Sequence, residues 1–267
     1  MALTQIIVLA VVQGITEFLP ISSSGHLILV PIFADWPDQG LMMDVAVHVG
    51  TLGAVMVYFW QDLIAMISGL WRLVRGRRDP GATLAGLVAL GTVPVLIGGY
   101  LMDKYVGDGL RSMVVIGWAT LGFGILLFVA DRMSMTVKRI EHVTIIDALT
   151  IGTAQVLALI PGTSRSGITI TAARLLGFER AESARFSMLL SIPTIAASGL
   201  WLGLSLYEAG DVQLTQGVVM AAGFAFVTAI LSIAALMAWL QRATFTPFVV
   251  YRVILGAALL AFAYGWI

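Results

Sequence analysis

The chain contains no cysteine, which removes disulfides and thiolate metal sites from consideration and leaves the redox compartment unread. Charge is nearly as scarce: Asp, Glu, Lys and Arg make up 11% of its 267 residues, where a soluble domain carries about 25%. A water-soluble globule of this size could not cover its surface with so few ions, and 59% of the residues are hydrophobic. With 15 basic and 15 acidic residues the formal net charge is zero, so no global positive field draws nucleic acid, and none is expected as a partner. The first dozen residues lack the basic region and cleavage site of a signal peptide, so the N-terminus is expected to belong to the mature protein.

What the sequence has instead is a series of apolar stretches of roughly 20 residues, each able to cross about 30 Å of hydrocarbon. Full crossings read as Met42–Gly69, Leu84–Met102, Met113–Ala130, Ser183–Leu206, Val218–Leu240 and Phe248–Ile267. Two other regions are interrupted: Thr4–Ala34 at Pro20-Ile-Ser-Ser-Ser-Gly25, and Thr144–Leu176 at Pro161-Gly-Thr-Ser-Arg-Ser-Gly167. Each reads as two half-helices around a polar turn. The expected fold is all-α and polytopic, a single integral membrane domain over 1–267 with six full transmembrane helices and two re-entrant helical hairpins. Pro20-Ile-Ser-Ser-Ser matches Pro161-Gly-Thr-Ser-Arg at a constant offset, and each interrupted region precedes a long apolar helix. With three crossings between them they enter from opposite faces, as inverted-topology repeats over about 1–110 and 140–240, with a final helix at 247–267.

Lys and Arg concentrate in cytoplasmic loops of membrane proteins. Arg72, Arg75, Arg77, Arg78, Arg132, Lys138, Arg139, Arg174, Arg180, Arg185 and Arg242 fall on one side if both interrupted regions are re-entrant, leaving Lys104 and Arg111 on the other. Both termini are then extracytoplasmic.

The polar turns carry the chemistry. Gln13 and Glu17 lie four apart on one helix face, and Pro20 ends that helix. Ser22, Ser23, Ser24, Gly25 and His26 follow at the start of the next half-helix, where unpaired N–H groups favour an anion. The second turn supplies Ser164, Arg165, Ser166 and Thr169 before another helix start. An arginine in a membrane needs a partner, and its planar fork suits phosphate or carboxylate. That partner is a bound anion, or Glu17 in a purely structural pair. Ser22, Ser24, Ser166 and Thr169 cap half-helices or touch ligand, and Gln13 serves the site or joins helices. His48, within Val45-Ala-Val-His-Val, reads as interhelical glue. Arg252 is expected to act structurally, by snorkelling or by pairing with Asp147.

Residues 13–26, Gln-Gly-Ile-Thr-Glu-Phe-Leu-Pro-Ile-Ser-Ser-Ser-Gly-His, and 161–169, Pro-Gly-Thr-Ser-Arg-Ser-Gly-Ile-Thr, resemble the two signature motifs of the bacterial undecaprenyl-diphosphate phosphatases of the BacA type, associated with bacitracin resistance. The resemblance extends along the whole chain in length, motif order and spacing. It implies a bacterial inner-membrane hydrolase, its pocket facing the periplasm, that converts undecaprenyl diphosphate to undecaprenyl phosphate and recycles the lipid carrier for peptidoglycan. It implies a divalent cation, Mg²⁺ or Ca²⁺, held by Glu17 and Gln13, and functional roles for Glu17, Ser23, His26 and Arg165. Gln13, Ser22, Ser24, Gly25, Ser164, Ser166 and Thr169 would contact substrate. Many members have Glu where Gln13 stands, so here a single carboxylate must serve. Two routes stay open, Ser23 attacking phosphorus with His26 as base or His26 attacking directly. The expected partners are the polyprenyl diphosphate and bilayer lipid, with a homodimer as the one protein assembly considered. The rival class is a lipid-carrier flippase or anion transporter, which inverted repeats also serve; Ser23 beside His26 and Glu17 separates the two, because transport needs no nucleophile.

Overall fold

The computed structural model describes residues 2–37, 39–105, 110, 112–133, 137–208 and 216–266; Arg111 and Ile267, named above, lie outside them. Among the described residues eleven α-helices follow in order. They are α1 (Leu3–Thr16), α2 (Ser23–Ala34), α3 (Leu41–Tyr58), α4 (Trp60–Val74), α5 (Pro80–Tyr105), α6 (Met113–Met133), α7 (Ile145–Gln155), α8 (Arg165–Leu175), α9 (Arg180–Glu208), α10 (Gln216–Leu240) and α11 (Thr246–Ala263). Six of these, α3, α5, α6, α9, α10 and α11, are long and apolar enough to cross a membrane. The protein is a multi-pass membrane protein. Its outward side chains remain apolar, Ile67, Ile97, Leu200 and Ile254 among them, because a protein in lipid has no reason to hide them.

One expected span is corrected. Met42–Gly69 is not a single helix but α3 and α4, separated at Phe59 (φ −99°, ψ 30°). Eighteen residues in α3 already rise about 27 Å, so the apolar run is longer than one crossing needs. The bulky Tyr58-Phe59-Trp60 step and polar Gln61-Asp62 mark the change of direction. α4 then packs against α5. From the last turn of α4, Arg72 donates to Asp79 at 2.8 Å, which with the Gly81 N–H holds that carboxyl below its ordinary range.

The interrupted regions form the expected half-helices, with α1 packed on α2 and α7 on α8. Each also inserts against a long helix from the other half of the chain, α1 on α10 and α7 on α5. These approaches are close enough to require missing side chains. A Cβ on Gly14 would lie 1.9 Å from Thr228 Oγ1 and one on Gly152 would lie 2.1 Å from the Gly91 carbonyl oxygen. The second obstacle is backbone and cannot swing away. Gly152→Val is therefore expected to force α7 off α5 and to destabilise the protein by about 1–3 kcal/mol, the usual cost of overpacking. A lowered unfolding midpoint in detergent, with reduced activity, checks this.

The basic residues converge at one end. Arg174 Nε and Arg180 Nε donate to Asp131 at 3.1 and 2.8 Å, Lys138 to Asp147 at 3.0 Å and Arg139 to Glu179 at 3.1 Å, while Arg185 pairs with Asp62. Asp147 is thus committed to Lys138 and to capping α7 through Thr144, and does not meet Arg252.

Candidate active site

The site is assembled where the two polar turns meet. Ser22 precedes α2 at φ 75° and Ser164 precedes α8 at φ 71°. Both are left-handed conformations that cost a residue with a side chain about 1–3 kcal/mol and that cluster at functional sites. Each hydroxyl accepts from the third residue on, Gly25 N at 3.4 Å and Gly167 N at 3.1 Å. The match therefore runs Ser22-Ser-Ser-Gly25 against Ser164-Arg-Ser-Gly167, one residue away from the register in which Pro20 faces Pro161. With Ser22 on Ser164, Ser23 and Arg165 are counterparts, each the first residue of its half-helix.

Both converge on one carboxylate. Glu17, at the C-terminal end of α1, accepts from Ser23 Oγ at 2.5 Å and Gln13 Nε2 at 2.9 Å through Oε2, and from Arg165 Nη2 at 2.7 Å through Oε1. Glu17 and Arg165 are 6% and 13% exposed at their side chains, so this is a buried pair with three donors satisfied, the form in which an ion pair survives desolvation. A cavity of about 190 Å³ opens beside it, lined by Glu17, Ser23, Ser24, His48, Gln155, Ser164, Arg165, Thr194 and Ser198 together with apolar side chains. Through Ser24, His48, Ala158 and Leu159 it adjoins a wider vestibule of about 550 Å³, whose wall includes Leu27, Ile28, Met102, Asp44 and Asp103.

The other expected site residues divide between wall and support. Ser24 and Ser164 reach the cavity. Ser22 and Gly25 form the cap behind it, Ser166 donates to the Leu19 carbonyl at 2.9 Å, and Thr169 bonds Ser187 at 2.6 Å and the Arg165 carbonyl at 2.8 Å. His26 is held at both ring nitrogens, Nδ1 2.6 Å from the Ser22 carbonyl oxygen and Nε2 2.5 Å from the Tyr251 hydroxyl. A carbonyl only accepts, so Nδ1 donates to Ser22, and in the neutral ring Nε2 then accepts from Tyr251. The group that meets the Ser23 hydroxyl is Glu17.

Three positions had no sequence signal read as functional. His48 lies with Nε2 4.0 Å from Glu17 Oε2. Gln155 is fully buried, receives Thr194 Oγ1 at 3.4 Å, and has an amide nitrogen with no partner among the described residues. Arg252 is wholly buried and neither snorkels nor pairs with Asp147. Its guanidinium donates to the carbonyls of Pro20, Thr120, Gly162 and Thr163 at 3.2, 3.0, 3.0 and 2.9 Å, pinning one turn to the other. Gly162 permits this at φ 94°, where a Cβ would lie 2.5 Å from the Ile116 oxygen. Arg252→Met should leave these carbonyls unpaired at about 1–3 kcal/mol each, lowering the unfolding midpoint and activity together, with Arg252→Lys intermediate. Paired melting and turnover measurements check the order.

The chain is thus a helical membrane protein with a buried Ser–Glu–Arg centre at two half-helix starts, an arrangement whose N–H groups and guanidinium suit a phosphate or another anion. Comparison with known proteins narrows this. The profile described as "Bacitracin resistance protein BacA" matches residues 6–258. An "Undecaprenyl-diphosphatase 1" of Rhodospirillum rubrum is 57% identical over 99% of this chain and 96% of its own length. Proteins named "Undecaprenyl-diphosphatase" from Roseobacter denitrificans and Ruegeria pomeroyi are 51% and 52% identical over 99% of this chain and 100% of theirs. The chain belongs to the BacA family.

Proposed function

We propose that this chain hydrolyses undecaprenyl diphosphate to undecaprenyl phosphate and inorganic phosphate. The observation that carries the reading is the Ser23 hydroxyl 2.5 Å from the Glu17 carboxylate whose other oxygen Arg165 holds. A hydroxyl bonded to a carboxylate is a nucleophile with its base in place. Ser23 Oγ attacks the terminal phosphorus and gives its proton to Glu17 Oε2. The bond to the bridging oxygen breaks with its electron pair on the departing lipid monophosphate. Arg165 and the N–H groups opening α2 and α8 offset charge on the non-bridging oxygens. Water then cleaves the phosphoserine. His26 positions the first turn through Ser22, in place of the base or nucleophile role considered from sequence.

A divalent cation, Mg²⁺ or Ca²⁺, fits here only together with the substrate. Gln13 Oε1 is buried without a hydrogen-bond partner beside Glu17, and no group of three or more acidic, His or Cys side chains is gathered for a metal among the described residues. Mg²⁺ commonly uses one or two protein ligands and completes its shell with water and phosphate oxygens. Glu17 and Gln13 would hold the ion, and its chemistry would be to neutralise phosphate charge.

The vestibule suits the lipid head, with apolar Leu27, Ile28 and Met102 in its wall, while the long tail stays in the bilayer. It opens at the C-terminal end of α5, through Met102 and Asp103, and the Arg72–Asp79 pair marks the opposite end. By the positive-inside rule, this supports our reading that the vestibule faces the periplasm from a bacterial inner membrane. We read α1–α2 and α7–α8 as re-entrant inverted repeats, a reading supported by their matching caps and exchanged packing partners. The product is the carrier recycled for peptidoglycan.

Purified protein in detergent should release phosphate from undecaprenyl diphosphate and stop when EDTA removes the cation. Folded protein that binds the lipid yet releases no phosphate would overturn the reading and return the transporter.

A further inference from the structure

We propose that His48 is the base that activates water in the second half of this reaction, the hydrolysis of phosphorylated Ser23; the proposal rests on the phosphatase reading above. His48 stands on α3 with Nδ1 2.7 Å from the Asp44 carbonyl oxygen one turn earlier. A carbonyl cannot donate, so Nδ1 carries a proton, and in the neutral ring Nε2 is the nitrogen that presents a lone pair. Among the described residues nothing hydrogen-bonds that nitrogen; it faces Glu17 Oε2 at 4.0 Å. Ser23 Oγ meets the same oxygen at 2.5 Å, so nucleophile and imidazole flank a single carboxylate atom. His48 also lines both the inner cavity and the vestibule, which puts it where outside water reaches the site.

The chemistry asks for such a group. Once Glu17 has taken the Ser23 proton it is no longer a base, and Gln13 beside it cannot titrate. The other ionisable groups around His48 are engaged or of the wrong kind: Arg165 from α8 is a permanent cation, and Asp44 on α3 accepts from Gln39 at 2.9 Å. Asp103 from α5 lines the vestibule and not the inner cavity. In the step proposed, water oxygen attacks the phosphorus of phosphoserine and gives a proton to His48 Nε2. The bond between phosphorus and Oγ breaks with its electrons on Oγ, which recovers its proton from Glu17. Inorganic phosphate leaves, and His48 discharges its proton to water in the vestibule.

The test compares wild type with His48→Gln on undecaprenyl diphosphate, following lipid monophosphate and inorganic phosphate separately, with intact-mass spectra during turnover. The expected result is a fall in kcat of about a hundredfold with KM nearly unchanged. The first equivalent of lipid monophosphate should appear at the wild-type rate while phosphate lags, and the variant should carry one phosphoryl group. Added imidazole should restore part of the turnover of His48→Ala. A His48→Gln protein with turnover within threefold of wild type would overturn the proposal. So would a first turnover slowed as much as steady state with no phosphoryl adduct. If wild type itself released no phosphate, the phosphatase reading would fail and carry this one with it, a result independent of residue 48.

Discussion

Glu17→Gln is expected to lower phosphate release by about 10³-fold or more while the protein remains folded. Loss of a positioned base alone accounts for about 10²–10⁴, and Glu17 has a second task, since Arg165 sits 2.7 Å from its Oε1. A neutral amide leaves that guanidinium buried without its counter-charge, a loss that costs about 3–5 kcal/mol where one partner of a buried pair is removed. Activity and stability should therefore both fall, and their ratio is informative. If Glu17 served only to neutralise Arg165, the folded fraction of the variant would turn over at the wild-type rate. The site described here requires the folded fraction to be nearly inactive. Turnover normalised to protein that still binds the lipid separates the two.

Ser23→Ala is expected to produce a comparable loss of turnover with little loss of stability. The substitution removes one hydrogen bond to Glu17, a net contribution of about 1 kcal/mol, and leaves the Ser22 cap and the ion pair intact. Substrate binding should persist, because Arg165 and the half-helix starts are untouched, so the effect belongs in kcat. A Ser23→Ala variant with turnover within threefold of wild type would remove the serine from the reaction and leave Glu17 to activate water directly.

Much of the architecture was legible because the bilayer imposes it. Runs near 20 apolar residues have one structural solution in lipid, and the six crossings follow. The single misplaced boundary, Met42–Gly69, arose because apolar length says when a helix can cross but not when an apolar chain turns back; Phe59 makes that turn within an unbroken hydrophobic run. The polar turns were legible because serines, an arginine and a carboxylate are conspicuous in a chain so poor in charge, and the structure brings Glu17, Ser23 and Arg165 to one point.

Roles within the site were less legible. His26 looked like the base for Ser23 because they are three residues apart, yet the opening turn of α2 directs the imidazole to Ser22 and Tyr251. His48 looked like a packing histidine because its neighbours are apolar, and only the crossing of α3 past α1 puts it beside Glu17. Gln155 was hidden by register. Aligned on the prolines it faces no counterpart, but aligned on the two capping serines it matches Gln13, and both amides are fully buried. Arg252 could not be assigned from its own segment at all, since its partners are backbone carbonyls from three distant stretches of chain.

If the two turns form one phosphoryl-transfer site with Ser23 as nucleophile, the intermediate should be caught by acid-quenched peptide mapping after brief turnover with undecaprenyl diphosphate labelled in the terminal phosphate. Label is expected on the peptide containing residues 22–26, at Ser23, absent from Ser23→Ala and accumulating in His48→Gln. Phosphate release at full rate with no labelled peptide in wild type or in His48→Gln would contradict it.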